Sequence, residues 1–318
     1  MYLVNDLYQS HGPRLGLEIL AGLSGINRFI KAPEAERPGL SLAGYLKNHK
    51  NHRILVIGKV ELEYLKELTS EIRIARLDSL LHPEKTPAVI VTRNHKPPKE
   101  LILLCNEKKI PLFITSLSAT EALCQLIILL QDEFALTTTL SGTLVEVFGL
   151  GILLKGDSTI GKSETALSLI ERGHRLIADD LVKVKKKEDS SLVGSGDSFS
   201  KHHLEIRGIG IVNVANLYGV VAIKDYKNID IVVQLEHWNE MDFYDRVGLE
   251  EKSYSILDIL LPFHLLPVKP DRNIALLIET IALNHRLKNV GFNTTKEFQH
   301  QLKNTIARTV REEALCYW

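Results

Sequence analysis

The residues best suited to chemistry lie in one octet, Gly156-Asp157-Ser158-Thr159-Ile160-Gly161-Lys162-Ser163, which fits the phosphate-loop pattern G-x-x-x-x-G-K-[ST]. Glycines let the backbone curl so that its N–H groups point inward at phosphate oxygens. In that pattern Lys162 reaches the β- and γ-phosphates, and the Ser163 hydroxyl holds Mg²⁺. The flanks suit the motif. Leu144 to Phe148 and Ile152 to Leu154 read as a strand pair around the glycine turn Gly149-Leu150-Gly151, and Glu164 to Glu171 reads as a helix with Ala166, Leu167 and Ile170 on one face, stopped by Gly173. Strand, glycine loop and helix in that order predict a nucleoside triphosphate site.

Sixteen residues past Ser163, the apolar Leu176-Ile177-Ala178 ends in Asp179-Asp180. A nucleotide site needs carboxylate near its metal, and the end of a neighbouring strand can supply it. Adjacent strand residues point to opposite faces, so both aspartates face the site only if the strand has ended and the backbone has turned. A solvated Asp-Asp turn is the plainer alternative. Further on, Leu204-Glu205-Ile206-Arg207-Gly208-Ile209-Gly210-Ile211-Val212-Asn213 sets two charges in an apolar, glycine-containing run. Burying charge is costly without a partner or a metal. Glu205 as a Mg²⁺ ligand with Arg207 as a phosphate clamp fits that requirement, and so does a Glu205/Arg207 pair on one strand face.

These residues must be positioned by a scaffold, and the chain is large enough for two. It has 318 residues, 45% hydrophobic and 25% charged, the profile of ordinary globular domains. Lys+Arg equals Asp+Glu at 39 each, so no global field recruits nucleic acid or a membrane surface. The basic run Lys183 to Lys187 before Glu188-Asp189 reads as a solvated hairpin tip. Cys105, Cys124 and Cys316 form no spaced pair and read as reduced thiols, buried or terminal. The N-terminal residues show no secretory signal, and the longest apolar stretch, Leu123 to Leu130, is far short of a membrane span. The expectation is a cytoplasmic protein.

From Arg53 to Leu130, apolar runs alternate with helical patterns. Strands are expected at Arg53 to Gly58, Ile74 to Leu77, Ala88 to Thr92 and Pro111 to Thr115. Helices are expected at Glu61 to Leu68, Lys99 to Lys108 and Ser118 to Leu130, which together argue for a parallel sheet flanked by helices. Ser116, a helix-cap candidate, and His95 are isolated and read as surface residues. The polar stretch Gln131 to Thr139 is the expected linker, dividing residues 1–132 from 133–318. Near the far end, Arg272 to Lys288 reads as a helix with Ile274, Leu277, Ile278, Ile281 and Ala282 on its packed face.

The combination resembles a family. Gly-Asp-Ser-x-Ile-Gly-Lys-Ser-Glu-Thr-Ala, then Arg-Gly-His-Arg-Leu-x-Ala-Asp-Asp, then Leu-Glu-Ile-Arg-Gly-Ile-Gly-Ile, are similar to HPr kinase/phosphorylase. The likeness continues through Tyr244 to Leu249 and Pro267 to Asn273, with Arg37-Pro38-Gly39-Leu40 in the first half. It implies an α/β fold, an N-terminal domain plus a P-loop domain resembling phosphoenolpyruvate carboxykinase. It also implies ATP- and Mg²⁺-dependent phosphorylation of a serine on the phosphocarrier HPr, a reverse reaction in which inorganic phosphate releases pyrophosphate, a role in carbon metabolism, and a homohexamer. By the same resemblance Gly156 to Ser163 bind ATP, Lys162 and Arg246 are catalytic, and Ser163 and Glu205 hold Mg²⁺. Asp180 exchanges the seryl proton, while Asp179, Arg207, Lys269 and Arg272 fall in regions for phosphate handling and coupling. Ser141 stands where the family has histidine, Thr159 replaces a loop glycine and so meets a demand for positive φ, and Lys269 and Asp271 replace arginine and glycine. A kinase of another acceptor, or a regulator that binds nucleotide and transfers nothing, also fits the residues.

Overall fold

The computed structural model describes residues 2–45, 52–197, 201–239, 252–269, 272–292 and 297. The chain divides into two compact units, Met1–Ala135 and Leu136–Trp318.

The first unit runs β1 (Tyr2–Leu3), α1 (Val4–Leu15), β2 (Glu18–Ala21), β3 (Phe29–Ile30), β4 (Ala35–Glu36), α2 (Gly39–Leu42), β5 (Ile54–Ile57), α3 (Lys59–Glu67), α4 (Ser70–Leu80), β6 (Val89–Val91), α5 (Lys99–Glu107), β7 (Leu112–Ile114) and α6 (Ala119–Phe134). Its five-stranded sheet has the order β2-β7-β6-β5-β4. The four strands β4 to β7 are parallel, and β2 closes one edge antiparallel to β7. All four residues of β5 are buried because both faces are covered. Leu55 and Ile57 enter one apolar cluster, Ile54 and Val56 another, as the twofold alternation of a strand requires.

Three expectations for this half need correction. Ile74 to Leu77 is not a strand but the middle of α4, where Ile72 and Ile74 are 46% and 44% exposed while Leu77 and Leu80 are fully buried. The local alternation mimics a strand, but Arg73 ties the segment as a helix by donating to the carbonyls of Leu65 and Leu68 and to Glu100. The cap of α6 is Ser118 rather than Ser116; its hydroxyl accepts from the Glu121 N–H, and Glu121 returns a bond to the Ser118 N–H. The boundary between the two units, Ala135 to Leu136, falls inside the expected linker Gln131 to Thr139, although α6 continues to Phe134 and a strand begins at Thr137. The β-branched threonines pair with Lys183, Val184 and Lys185 of a neighbouring strand. Cys105 is buried, and burial pushes its thiol up to about 12, whereas Cys124 is exposed instead of buried because it sits on the outer face of α6. Cys316 lies outside the described residues.

The second unit runs β8 (Thr137–Ser141), β9 (Thr143–Val147), β10 (Leu150–Lys155), α7 (Lys162–Glu171), β11 (Arg175–Ala178), β12 (Leu181–Lys186), β13 (Leu192–Gly196), β14 (His203–Ile206), β15 (Gly210–Asn213), α8 (Val214–Tyr218), β16 (Tyr226–Asn228), β17 (Ile231–His237), β18 (Ser253–Ile256), β19 (Ile259–Val268) and α9 (Ile274–Asn289). A six-stranded sheet in the order β11-β9-β10-β17-β19-β18 forms its centre. The steps β10–β17 and β17–β19 are parallel and the rest antiparallel. One face, through Val145, Ile152, Leu154 and Val233, packs with Ala166 and Leu169 of α7 and Ile278 and Ala282 of α9. The other, through Leu144, Leu153 and Val232, packs with Val182, Val184 and Leu192 of a four-stranded sheet, β16-β13-β12-β8. Helices, mixed sheet and second sheet therefore form three layers. The lysine run climbs β12 rather than forming a tip, and the turn after it closes with Lys187 N–H donating to the Ser191 carbonyl at 2.8 Å.

Candidate active site

The octet leaves the end of β10 and enters α7, as its flanks predict. Its backbone is demanding at two places, Gly156 at φ +143° and Gly161 at φ +92°, and both are glycine. A Cβ on Gly156 would lie 2.6 Å from the Leu235 carbonyl oxygen, so β17 itself dictates that residue. Thr159 is not among the described residues with positive φ, so the strain expected of a β-branched side chain does not arise. Ile160 anchors the loop in the core at 5% exposure, while Asp157, Ser158 and Thr159 stay exposed.

Lys162 is 7% exposed, and its ammonium folds back onto the loop, donating to the carbonyls of Gly156 at 2.9 Å and Asp157 at 2.8 Å. With two carbonyl partners among the described residues, a buried ammonium keeps a third proton for an anion. Arg207 Nη2 donates to the Ser158 carbonyl at 3.4 Å, which brings that arginine over the same loop.

Asp179 ties the second wall to the first. It is 4% exposed and accepts from Ser163 Oγ at 2.8 Å and Thr143 Oγ1 at 2.6 Å. The backbone of Glu205 lies near it and favours the charged form slightly. Burial raises its carboxyl above the ordinary aspartate value, and the nearby Asp180 charge adds to this; the bonds from Thr143 and Ser163 pull the other way. The strand ends at Ala178, and Asp180 takes the left-handed conformation at φ +63°. Leu181 N–H donates to the Asp179 carbonyl at 2.8 Å, and Gly142 N–H to the Asp180 carbonyl at 3.0 Å. The backbone has therefore turned between the two aspartates. Asp179 goes inward and Asp180 outward to solvent. Ser141, exposed and opposite Leu181 in the β8–β12 pairing, borders the same corner.

Glu205 and Arg207 are exposed, which corrects the expectation of buried charge. The run is a hairpin, β14 with β15, in which Leu204 and Ile206 turn inward and the charges turn outward. Ile209 and Ile211, 70% and 74% exposed, sit at and beyond its turn. Ser163 and Glu205 carry oxygen atoms of the hard kind that Mg²⁺ takes. Among the described residues there is no cluster of three or more His, Cys, Asp or Glu able to hold a metal alone.

Two further predicted residues have partners within the protein. Arg272 Nη1 donates to the Pro267 carbonyl at 3.0 Å, and the side chain lines a pocket shared with α7. The Lys269 ammonium sits over the Trp238 ring, 3.4 Å from its centre. Arg246, with the segment Tyr244 to Leu249, and Asp271 lie outside the described residues. Sequence reasoning passed over Thr143. A single threonine at the head of an apolar strand carries little signal, and its partner Asp179 is 36 residues away. Outside this corner, His95 Nε2 is buried and has no hydrogen-bond partner among the described residues.

The corner can hold a triphosphate between the loop N–H groups and Lys162, present a carboxylate at its terminal end, and keep a serine hydroxyl oriented beside it. That is the equipment for phosphoryl transfer.

Comparison with known proteins agrees. The family model described as HPr Serine kinase N terminus matches residues 3–130, and that of the HPr Serine kinase C-terminal domain matches 132–302. A protein of Exiguobacterium sp. named HPr kinase/phosphorylase is 42% identical over 296 residues, 93% of this chain and 95% of its own. Another of that name from Bacillus pumilus is 42% identical over 297 residues, 93% of this chain and 96% of its own. A solved structure of the Hpr(Ser) kinase/phosphatase from Coxiella burnetii is 35% identical, covering 51% of this chain and 98% of that one, with a TM-score of 0.46.

Proposed function

The chain belongs to the HPr serine kinase family, and from that premise we propose that it moves the γ-phosphoryl group of ATP to a serine hydroxyl of HPr and runs the phosphorolytic reverse. The observation that carries this reading is the Ser163–Asp179 hydrogen bond, 2.8 Å long, which fastens the phosphate loop to the aspartate corner. Through that bond a bound triphosphate and the outward-facing Asp180 share one small volume.

In the forward direction the loop N–H groups and Lys162 hold the phosphates and neutralise their charge. Asp180 accepts the seryl proton as the new O–P bond forms and ADP departs. In reverse, inorganic phosphate attacks the phosphoserine phosphorus, Asp180 returns the proton to the seryl oxygen, and pyrophosphate leaves. Asp180 suits this exchange because it is exposed to an incoming protein, whereas Asp179 is committed to Thr143 and Ser163. Ser163 and Glu205 would hold Mg²⁺, which when bound supplies charge neutralisation on the phosphates. Arg246 is part of the reading through its motif alone. So are cytoplasmic location and a homohexameric state; among the described residues no helix is long and apolar enough to cross a membrane.

Asp180→Asn tests the assignment. With ATP, Mg²⁺ and purified HPr, phosphoserine formation followed by mass should disappear while calorimetric ATP binding persists. Loss of ATP binding together with activity would move Asp180 into the structural or metal-holding set.

A further inference from the structure

A cavity of about 420 Å³ opens between the first turns of α7 and the start of α9. Such a volume lies within the roughly 300–1,000 Å³ typical of small-molecule sites. Its α7 wall is Glu164, Thr165 and Ser168, and Glu164 and Ser168 share one helix face a turn apart. Arg272 and Asn273 form the opposite rim, with Ile274 and Ala275, 9% and 3% exposed, as an apolar floor. Among the described residues the hydroxyls of Thr165 and Ser168 have no hydrogen-bond partner. The Arg272 guanidinium is steadied by its bond to the Pro267 carbonyl at 3.0 Å.

We propose that this cavity receives the nucleoside of the nucleotide whose phosphates the loop holds, an inference that rests on the ATP-dependent reading above. The two ends of a nucleotide must leave the phosphate loop in different directions. The terminal phosphate has to lie beside Ser163, Asp179 and Asp180, where the acceptor hydroxyl arrives. The nucleoside then exits on another side of the first turns of α7, and the cavity is there. Its chemistry matches that ligand. An apolar floor accepts one face of a base, a planar guanidinium offers a stacking surface, and two hydroxyls can bond a ribose. In this arrangement α7 serves both ends: Lys162 and Ser163 at the phosphates, Thr165 and Ser168 at the sugar.

The test compares ATP with inorganic tripolyphosphate, the same charged tail without a nucleoside, by calorimetry on the full chain with Mg²⁺. The parent protein should prefer ATP by about tenfold or more. Ser168→Trp, which fills the cavity, should erase that preference and leave tripolyphosphate affinity unchanged. In parallel, 8-azido-ATP irradiated with the unaltered protein should label a peptide containing Glu164 to Ser168 or Asn273 to Ala275, and ATP should compete. Full ATP preference in Ser168→Trp, or ATP-competed labelling elsewhere, overturns the proposal. So does equal affinity of the parent for both compounds, which leaves the phosphate-loop reading intact. A parent protein that binds neither compound sinks that reading and this one with it. Should Ser168→Trp fail to fold, the labelled peptide of the unaltered protein decides.

Discussion

Asp179→Asn separates what the corner does for activity from what it does for stability. Two hydroxyls donate to the Asp179 carboxylate among the described residues, Thr143 Oγ1 at 2.6 Å and Ser163 Oγ at 2.8 Å. Bonds to a charged group contribute roughly 1.5–3 kcal/mol against about 0.5–1.5 for neutral ones. Removing the charge therefore costs about 1 kcal/mol per bond, about 2 kcal/mol in total. Against this stands the desolvation of a carboxylate at 4% exposure, several kcal/mol for a buried ion. The upward shift of its pKa, led by burial, shows that desolvation outweighs the bonds. Asparagine keeps one accepting oxygen and drops the charge. The variant should therefore match the parent in stability within about 1 kcal/mol or exceed it, a Tm difference of roughly 2–4 °C at most for a unit of this size. Activity should fall by about 10–100-fold, because the Ser163 hydroxyl loses the anion that orients it. Scanning calorimetry at pH 7 and phosphoserine formation on HPr are the paired assays. Destabilisation beyond about 3 kcal/mol would refute the reasoning, by showing that the ionised network stabilises the fold on balance. Unchanged activity would refute the positioning role.

Two other expectations follow from neighbouring groups. Ser141→His returns an ionisable ring to the corner beside Asp180, and pyrophosphate release from phosphoserine-HPr should rise about tenfold or more; an unchanged rate would show that Ser141 does not border the phosphate. Glu279, 8% exposed, accepts from Arg172 Nε at 2.9 Å and pairs with His174 Nε2 at 2.9 Å. The Arg172 bond, aided by His174, holds its carboxyl below the ordinary value of 4.5 despite burial. A depressed acid contributes stability that is complete above its unfolded value and disappears as pH falls through the folded one. Glu279→Gln should therefore unfold more easily at pH 7, by about 1–2 kcal/mol given that Arg172 is 39% exposed, with the gap to the parent closing toward pH 4. Thermal scans at both pH values check this, and a gap of constant size would contradict it.

The chain's local chemistry was enough to find the phosphate loop, its strand and helix, the aspartate pair and the packed face of α9, because each depends on residues near one another in sequence. Gly156 and Gly161 are needed by backbone conformation, and Lys162 and Ser163 follow them at fixed spacing. Where local pattern and long-range contact competed, the pattern misled. Ile74 alternates as in a strand, yet Arg73 binds three partners that make a helix. Glu205 and Arg207 looked buried until the Leu204 to Asn213 run paired with itself and turned its charges outward. Only the tertiary structure could decide that Asp179 is the internal tie and Asp180 the exposed carboxylate. That choice depends on Thr143 and Ser163 arriving from two separate segments. It depends equally on a turn that sends two adjacent, chemically identical side chains into different dielectric surroundings.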